Sequence, residues 1–113
     1  MEVKRLRMED KYKPLTESTY YVMTAFLYEK HGYAIKMFLE DKTHGRISLG
    51  PGTLYGIINK LSEKNYLTPI EDDENDKRNS YELTDEGKEV LKNEYERIKE
   101  IYTFGERFID KKL

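Results

Sequence analysis

Leu49-Gly50-Pro51-Gly52-Thr53-Leu54-Tyr55-Gly56-Ile57-Ile58-Asn59-Lys60-Leu61 is the stretch on which the reading of this chain turns. A Gly-Pro-Gly punctuation opens an amphipathic helix, with Pro51 at the first helical position, where a missing N–H costs nothing. Leu54, Ile57, Ile58 and Leu61 recur at helical spacing and form one apolar stripe. Gly56, Asn59 and Glu63 face the other way, with Tyr55 and Lys60 flanking them. A helix anchored from behind, offering short polar and aromatic groups at its N-terminal end in place of a row of charges, suits insertion into a DNA major groove. The same segment also reads as an ordinary surface helix, so its surroundings decide.

Upstream, Thr16 can cap a helix running to about Lys30, with an apolar set from Tyr20 to Tyr28 broad enough for burial on more than one side. His31-Gly32 breaks it, Gly32 being suited to the positive φ of a helix end. A shorter helix follows from Tyr33 to about Lys42 and ends at Thr43-His44-Gly45. Ile47 and Leu49 alternate with polar neighbours in a short extended piece, and the opening stretch is then a third helix, from Pro51 to about Lys64. Downstream the period changes. Tyr66, Leu67, Thr68 and Ile70 suggest a strand, which Pro69 restricts to an edge or a strand end. Ser80-Tyr81-Glu82-Leu83 returns as a second strand after a polar loop. Three helices followed by a hairpin make a winged helix-turn-helix, in a mainly α chain. Lys77 and Arg78 fall in the wing, where backbone phosphates are commonly met; read without DNA, they are two solvated loop charges beside an acidic run.

Thr84-Asp85-Glu86 starts a last helix, to about Asp110, with a capping hydroxyl followed by acids at the positive end of the helix dipole. Gly87 in its first turn hints at close packing. Leu91, Tyr95, Ile98, Tyr102, Gly105 and Ile109 are spaced as a coiled-coil seam, which Ile101 and Phe108 widen. So long an apolar face exceeds what the rest of a small domain can cover, and a second copy is the economical partner. Leu91, Tyr95, Ile98, Ile101, Tyr102 and Ile109 are the expected dimerisation residues. Residues 1–84 read as the DNA-binding domain with an N-terminal arm, and 85–113 as the dimerisation helix.

The bulk properties set limits. The 113 residues suit one domain, and there is no cysteine for a disulfide or a thiolate metal site. His31 and His44 are too few for a metal site and read as helix-end residues. No metal or cofactor is expected. No apolar run approaches membrane-spanning length and no secretory signal is visible, so a soluble cytoplasmic protein is expected. The net charge of −2 and pI of about 5.8 count against nucleic-acid binding. The cations are unevenly spread, however, with Lys4, Arg5, Arg7, Lys11 and Lys13 crowding the first segment.

With these pieces assembled, the sequence resembles the PadR family of bacterial transcriptional regulators over about residues 15 to 100. The matching pieces are Leu15-Thr16-Glu17-Ser18-Thr19-Tyr20-Tyr21, His31-Gly32-Tyr33-Ala34-Ile35, Gly50-Pro51-Gly52-Thr53-Leu54-Tyr55-Gly56 and Tyr81-Glu82-Leu83-Thr84-Asp85-Glu86-Gly87. The resemblance implies a homodimer that binds promoter DNA, usually as a repressor, and the single C-terminal helix looks like the small-member subgroup. Many members have Ser where this chain has Gly50, and their wings are more basic. Some small members hold planar compounds between tryptophans at the dimer centre. This chain has none, and the equivalent position is Ile98. A small-molecule effector, where one exists, would lodge near Tyr95, Ile98, Tyr102 and Phe104; without one, these residues are seam packing.

The expected function is therefore a DNA-binding regulator on a palindromic site. Thr53, Tyr55, Asn59 and Lys60 would enter or flank the major groove, and Lys60, Lys77 and Arg78 would contact phosphates. Asn59 is the candidate base reader, since its amide can pair bidentately with adenine. The competing reading, which the acidic pI supports, is a winged-helix protein–protein interaction module. An enzyme is not expected: no nucleophile–base pair is visible, and Gly50-Pro51-Gly52 lacks the lysine of a phosphate-binding loop.

Overall fold

The computed structural model describes residues 13–71 and 80–113. Helices α1 (Glu17–Ala25), α2 (Gly32–Lys42) and α3 (Pro51–Glu63) are followed by strands β1 (Leu67–Ile70) and β2 (Ser80–Leu83) and by the long helix α4 (Asp85–Phe108). The strands pair antiparallel, Leu67 opposite Leu83 and Ile70 opposite Ser80. All six elements contribute to one core. It includes Val22 and Met23 of α1, Ile35 and Leu39 of α2, Leu54, Ile58 and Leu61 of α3, Leu67 and Leu83 of the sheet, and Val90 and Leu91 of α4. Each fully buried aliphatic of this kind is worth about 1.5–3 kcal/mol.

Local chemistry sets the helix ends. Thr16 caps α1 by accepting the Thr19 N–H, and Thr84 caps α4 by accepting that of Gly87. α2 stops at His44 (φ 53°) and Gly45 (φ 83°), with the Gly45 N–H on the Glu40 carbonyl at 2.8 Å. α3 stops at Asn65 (φ 67°), with the Tyr66 N–H on the Leu61 carbonyl at 2.9 Å. Both are left-handed terminations that satisfy the last free carbonyls.

Two local expectations are corrected. α1 ends at Ala25, not near Lys30, because the chain turns at once to lie beside β2: the Lys30 carbonyl accepts the Tyr81 N–H at 2.9 Å, and His31 bridges Ser80. Gly32 is not a positive-φ helix end but the first residue of α2. A Cβ there would meet the ring and hydroxyl of Tyr55 on α3, which would have to swing aside. The Ile47–Leu49 piece joins no sheet, and Ile47 is buried in the core within the turn between α2 and α3.

α4 enters the core closely. A Cβ on Gly87 would overlap the Tyr66 carbonyl, which also accepts the Thr84 N–H at 3.0 Å. One turn beyond Val90 and Leu91 sits Glu94, buried at 4% exposure. Arg97 grips its carboxylate with two bonds of 2.8 Å, and its Oε2 also accepts the Leu15 N–H at 3.2 Å. The Arg97 bond is the main reason the Glu94 carboxyl titrates below its ordinary 4.5; burial opposes it, and the Leu15 N–H adds to it. A carboxylate favoured in the folded state stabilises the fold above its ordinary pKa and loses that contribution as pH falls through the lowered value. Glu94→Gln is therefore expected to cost about 1–2 kcal/mol at pH 7, a charged hydrogen bond discounted for the part-exposed Arg97. The difference from wild type should shrink below about pH 4. Urea unfolding of both proteins across pH measures it, and a constant difference would mean that the ion pair is not its source.

Candidate nucleic-acid interface

The buried side of α3 carries Leu54, Ile58 and Leu61, leaving Gly52, Thr53, Gly56, Asn59 and Lys60 exposed on the other side. Gly50 is the N-cap and makes no side-chain capping bond, and the first turn contains no acid. The positive end of the helix dipole is thus not neutralised from within the helix, which favours an approaching phosphate. A Cβ at Gly52 or Gly56 would meet nothing within 4 Å. Tyr55 is 40% exposed, with its hydroxyl end lying over Gly32, so it braces α3 against the start of α2 while flanking the exposed face.

Side-chain bonds hold the turn that aims α3. Thr43 Oγ1 donates to the Leu39 carbonyl at 2.7 Å and accepts the Ile47 N–H at 2.9 Å. Ser48 donates to Glu40 at 2.8 Å, and Glu40 also pairs with Lys36, so its carboxyl titrates low, chiefly through the Lys36 bond. Arg46 reaches Glu17 of α1 at 2.5 Å and the Tyr21 hydroxyl at 3.3 Å. The Arg46 contacts had no signal in the sequence, because Arg46 lies far along the chain from Glu17 and Tyr21 and carries no motif. The same holds for Ser80 Oγ and His31 Nδ1, 3.0 Å apart, which fasten the root of the wing to the start of α2. β1 and β2 form the stem of that wing. Lys77 and Arg78 lie outside the described residues.

The final helix divides into two halves. Leu91, expected in the dimer seam, is buried in the protomer's own core at 8% exposure, with little left for a partner. From Tyr95 onward the apolar face is uncovered: Ile98 is half-buried, while Tyr95, Ile101, Tyr102 and Ile109 are exposed, Tyr102 at 66%. Burial raises the pKa of the Tyr20 hydroxyl, with lesser contributions from Tyr95 and Glu94, which marks where α1 and α4 meet. Tyr95, Ile98 and Tyr102 share one side of α4. Phe104, expected with them at an effector site, lies by helical spacing on the far edge of that face from Tyr95 and packs edge-on against Phe108 at 4.9 Å. A shallow depression of about 250 Å³ lies elsewhere, between the α1–α2 connection and β2, and includes Leu27, Tyr81 and Lys88. Among the described residues there is no cluster of acids and histidines able to hold a metal ion, and no helix long and apolar enough to cross a membrane.

A helix held by a braced turn, followed by a two-stranded wing and a long terminal helix, defines a winged helix-turn-helix protein. The family model described as the transcriptional regulator PadR-like family matches residues 21–93, and the chain belongs to that family. Its members are transcription regulators and not enzymes. A PadR-like transcription factor from Bacteroides fragilis superposes with a TM-score of 0.68 at 22% identity, covering 95% of this chain and 98% of that one. Bacillus subtilis PadR in complex with operator DNA gives 0.61 at 21% identity, covering 72% of this chain and 47% of that one. An uncharacterised 37.1 kDa protein in a transposon of Streptomyces fradiae is 39% identical over 64 residues. That match takes in 57% of this chain, which spans only 17% of the relative's length.

Proposed function

We propose that this PadR-family regulator binds promoter DNA as a homodimer on an imperfect palindrome, usually repressing, and works in the cytoplasm where that DNA lies. The observation that carries this reading is the exposed side of α3: polar, free of acids in its first turn, and aimed by a turn held with side-chain bonds. Thr53 and Asn59 face the bases, Tyr55 flanks them, and Lys60 with the wing cations Lys77 and Arg78 meets phosphates. Residues 1–84 serve as the DNA-binding unit, and 85–113 supply the dimer helix while completing the core with its first turns. An effector, where one acts, sits near the dimer centre around Tyr95, Ile98, Tyr102 and Phe104. It shifts DNA affinity only by binding two states of the dimer differently.

A second reading, a protein-interaction module, draws on the net charge of −2. Titration against a duplex from the region upstream of the chain's own gene, and against a scrambled duplex, separates the two across a salt series. A regulator prefers the first duplex and weakens steeply with salt, by roughly one log unit in affinity per log unit of salt for each phosphate contacted. Binding to neither duplex at low salt leaves the interaction module.

A further inference from the structure

His31 opens α2 as its N-cap, yet its side chain makes no capping bond. A serine, threonine, aspartate or asparagine would serve a helix start better. The ring is turned instead to the buried Ser80 at the start of β2, with Nδ1 and Oγ 3.0 Å apart. The residues on either side of His31 are engaged as well. The Lys30 carbonyl accepts the Tyr81 N–H at 2.9 Å, and Gly32 lies under the hydroxyl end of Tyr55. Three consecutive residues thus touch both the stem of the wing and the helix proposed to read DNA. Arg78 and Lys77 stand two and three residues before Ser80 in the sequence. Two residues of chain span at most about 7 Å, so the reach of Arg78 is counted from Ser80.

We propose that His31 is a positioning residue for DNA binding: by holding Ser80 one residue away from the Gly32 seat of Tyr55, it fixes the place from which the wing cations reach phosphates relative to the groove that α3 enters. This rests on the DNA-binding reading above and adds to it the residue that sets wing against helix. Two parts of one protein engage one duplex together without loss only when their spacing already matches it. A wing free to shift would have to be ordered on binding, which lowers affinity. A role in starting α2 does not account for the histidine, because the ring leaves the helix N-terminus uncapped and turns to β2.

The test titrates full-length protein with a duplex from the region upstream of the chain's own gene, across a salt series. His31→Ser offers α2 a better cap but falls short of Ser80, and Ser80→Ala removes the hydroxyl with little change in volume. Both are expected to bind about three- to tenfold more weakly than wild type, the worth of one hydrogen bond. Their salt dependence should fall toward that of Lys77→Ala/Arg78→Ala, which loses about one unit for each phosphate contact. Added to that double variant, either change should have little further effect, because no wing contact is left to position. A merely structural role would weaken binding equally in both backgrounds. Losses that multiply in full, or a His31→Ser variant that binds as tightly as wild type, overturn the inference but not the DNA reading. So does a wild-type affinity that Lys77→Ala/Arg78→Ala leaves unchanged. Wild-type protein that binds no duplex at low salt overturns the DNA reading and this inference with it.

Discussion

Replacing Ile98 and Ile109 together with aspartate is expected to convert the protein to a monomer and to lower its affinity for a two-half-site operator by at least about 100-fold, the usual scale of lost avidity. Each substitution places a carboxylate on the uncovered face of α4, where dimerisation would have to bury it unpaired. The second half-site then contributes nothing, because one protomer carries only one α3. Ile109 lies beyond the last residue of α4 and is half exposed, so Ile109→Asp alone isolates the dimer effect from any strain near the half-buried Ile98. Sedimentation at micromolar concentration and binding to full and half operators measure both effects. A double variant that is still dimeric would place the interface elsewhere on the surface. A monomeric variant with unchanged operator affinity would break the link between dimerisation and DNA reading.

Asn59→Ala is expected to cost about 1–3 kcal/mol per half-site if its amide pairs with a base. Over two half-sites that amounts to roughly 30-fold to 10⁴-fold in operator affinity. Scrambled duplex should be bound nearly as well as before, so the loss appears as relaxed preference. Lys60→Ala should act differently, weakening all duplexes alike and reducing the salt dependence by about one unit per contact, since phosphates carry no sequence information. The two variants, compared on operator and scrambled duplex across a salt series, assign reader and anchor. If Asn59→Ala lowered both affinities equally while Lys60→Ala affected only the operator, the roles would be reversed. A Cβ at Gly52 or Gly56 would meet nothing in the protomer, and on the proposed reading these two positions would let the α3 backbone approach DNA closely enough for a short amide such as Asn59 to reach a base edge.

Much of the fold was legible along the chain because its signals are local. The stripe of Leu54, Ile57, Ile58 and Leu61, of which Ile57 is only partly buried, the capping hydroxyls of Thr16 and Thr84 and the stop at His44-Gly45 each depend on residues a few positions apart. Apart from Ile57, each is found in the structure as read. The family motifs were legible for the same reason. What could not be read depends on residues that meet only after folding. Gly32 looks like a helix end until Tyr55 of α3 is laid over it, and α1 looks longer until Lys30 and His31 are paired with β2. Glu94 looks like one more surface acid of a charged helix until the Leu15 N–H and Arg97 close around it. Leu91 fits the seam by spacing, yet packing assigns it to the protomer's core.

By itself the sequence determined the order and kind of the elements, the apolar faces of α3 and α4, and the family. Periodicity, caps and turn residues are properties of neighbours along a chain. Only the tertiary structure decided how α3 is aimed, where the covered part of α4 gives way to the uncovered part, and which glycine meets the protomer's own backbone. Those outcomes depend on which distant atoms come within van der Waals reach, and a one-dimensional pattern does not contain that information.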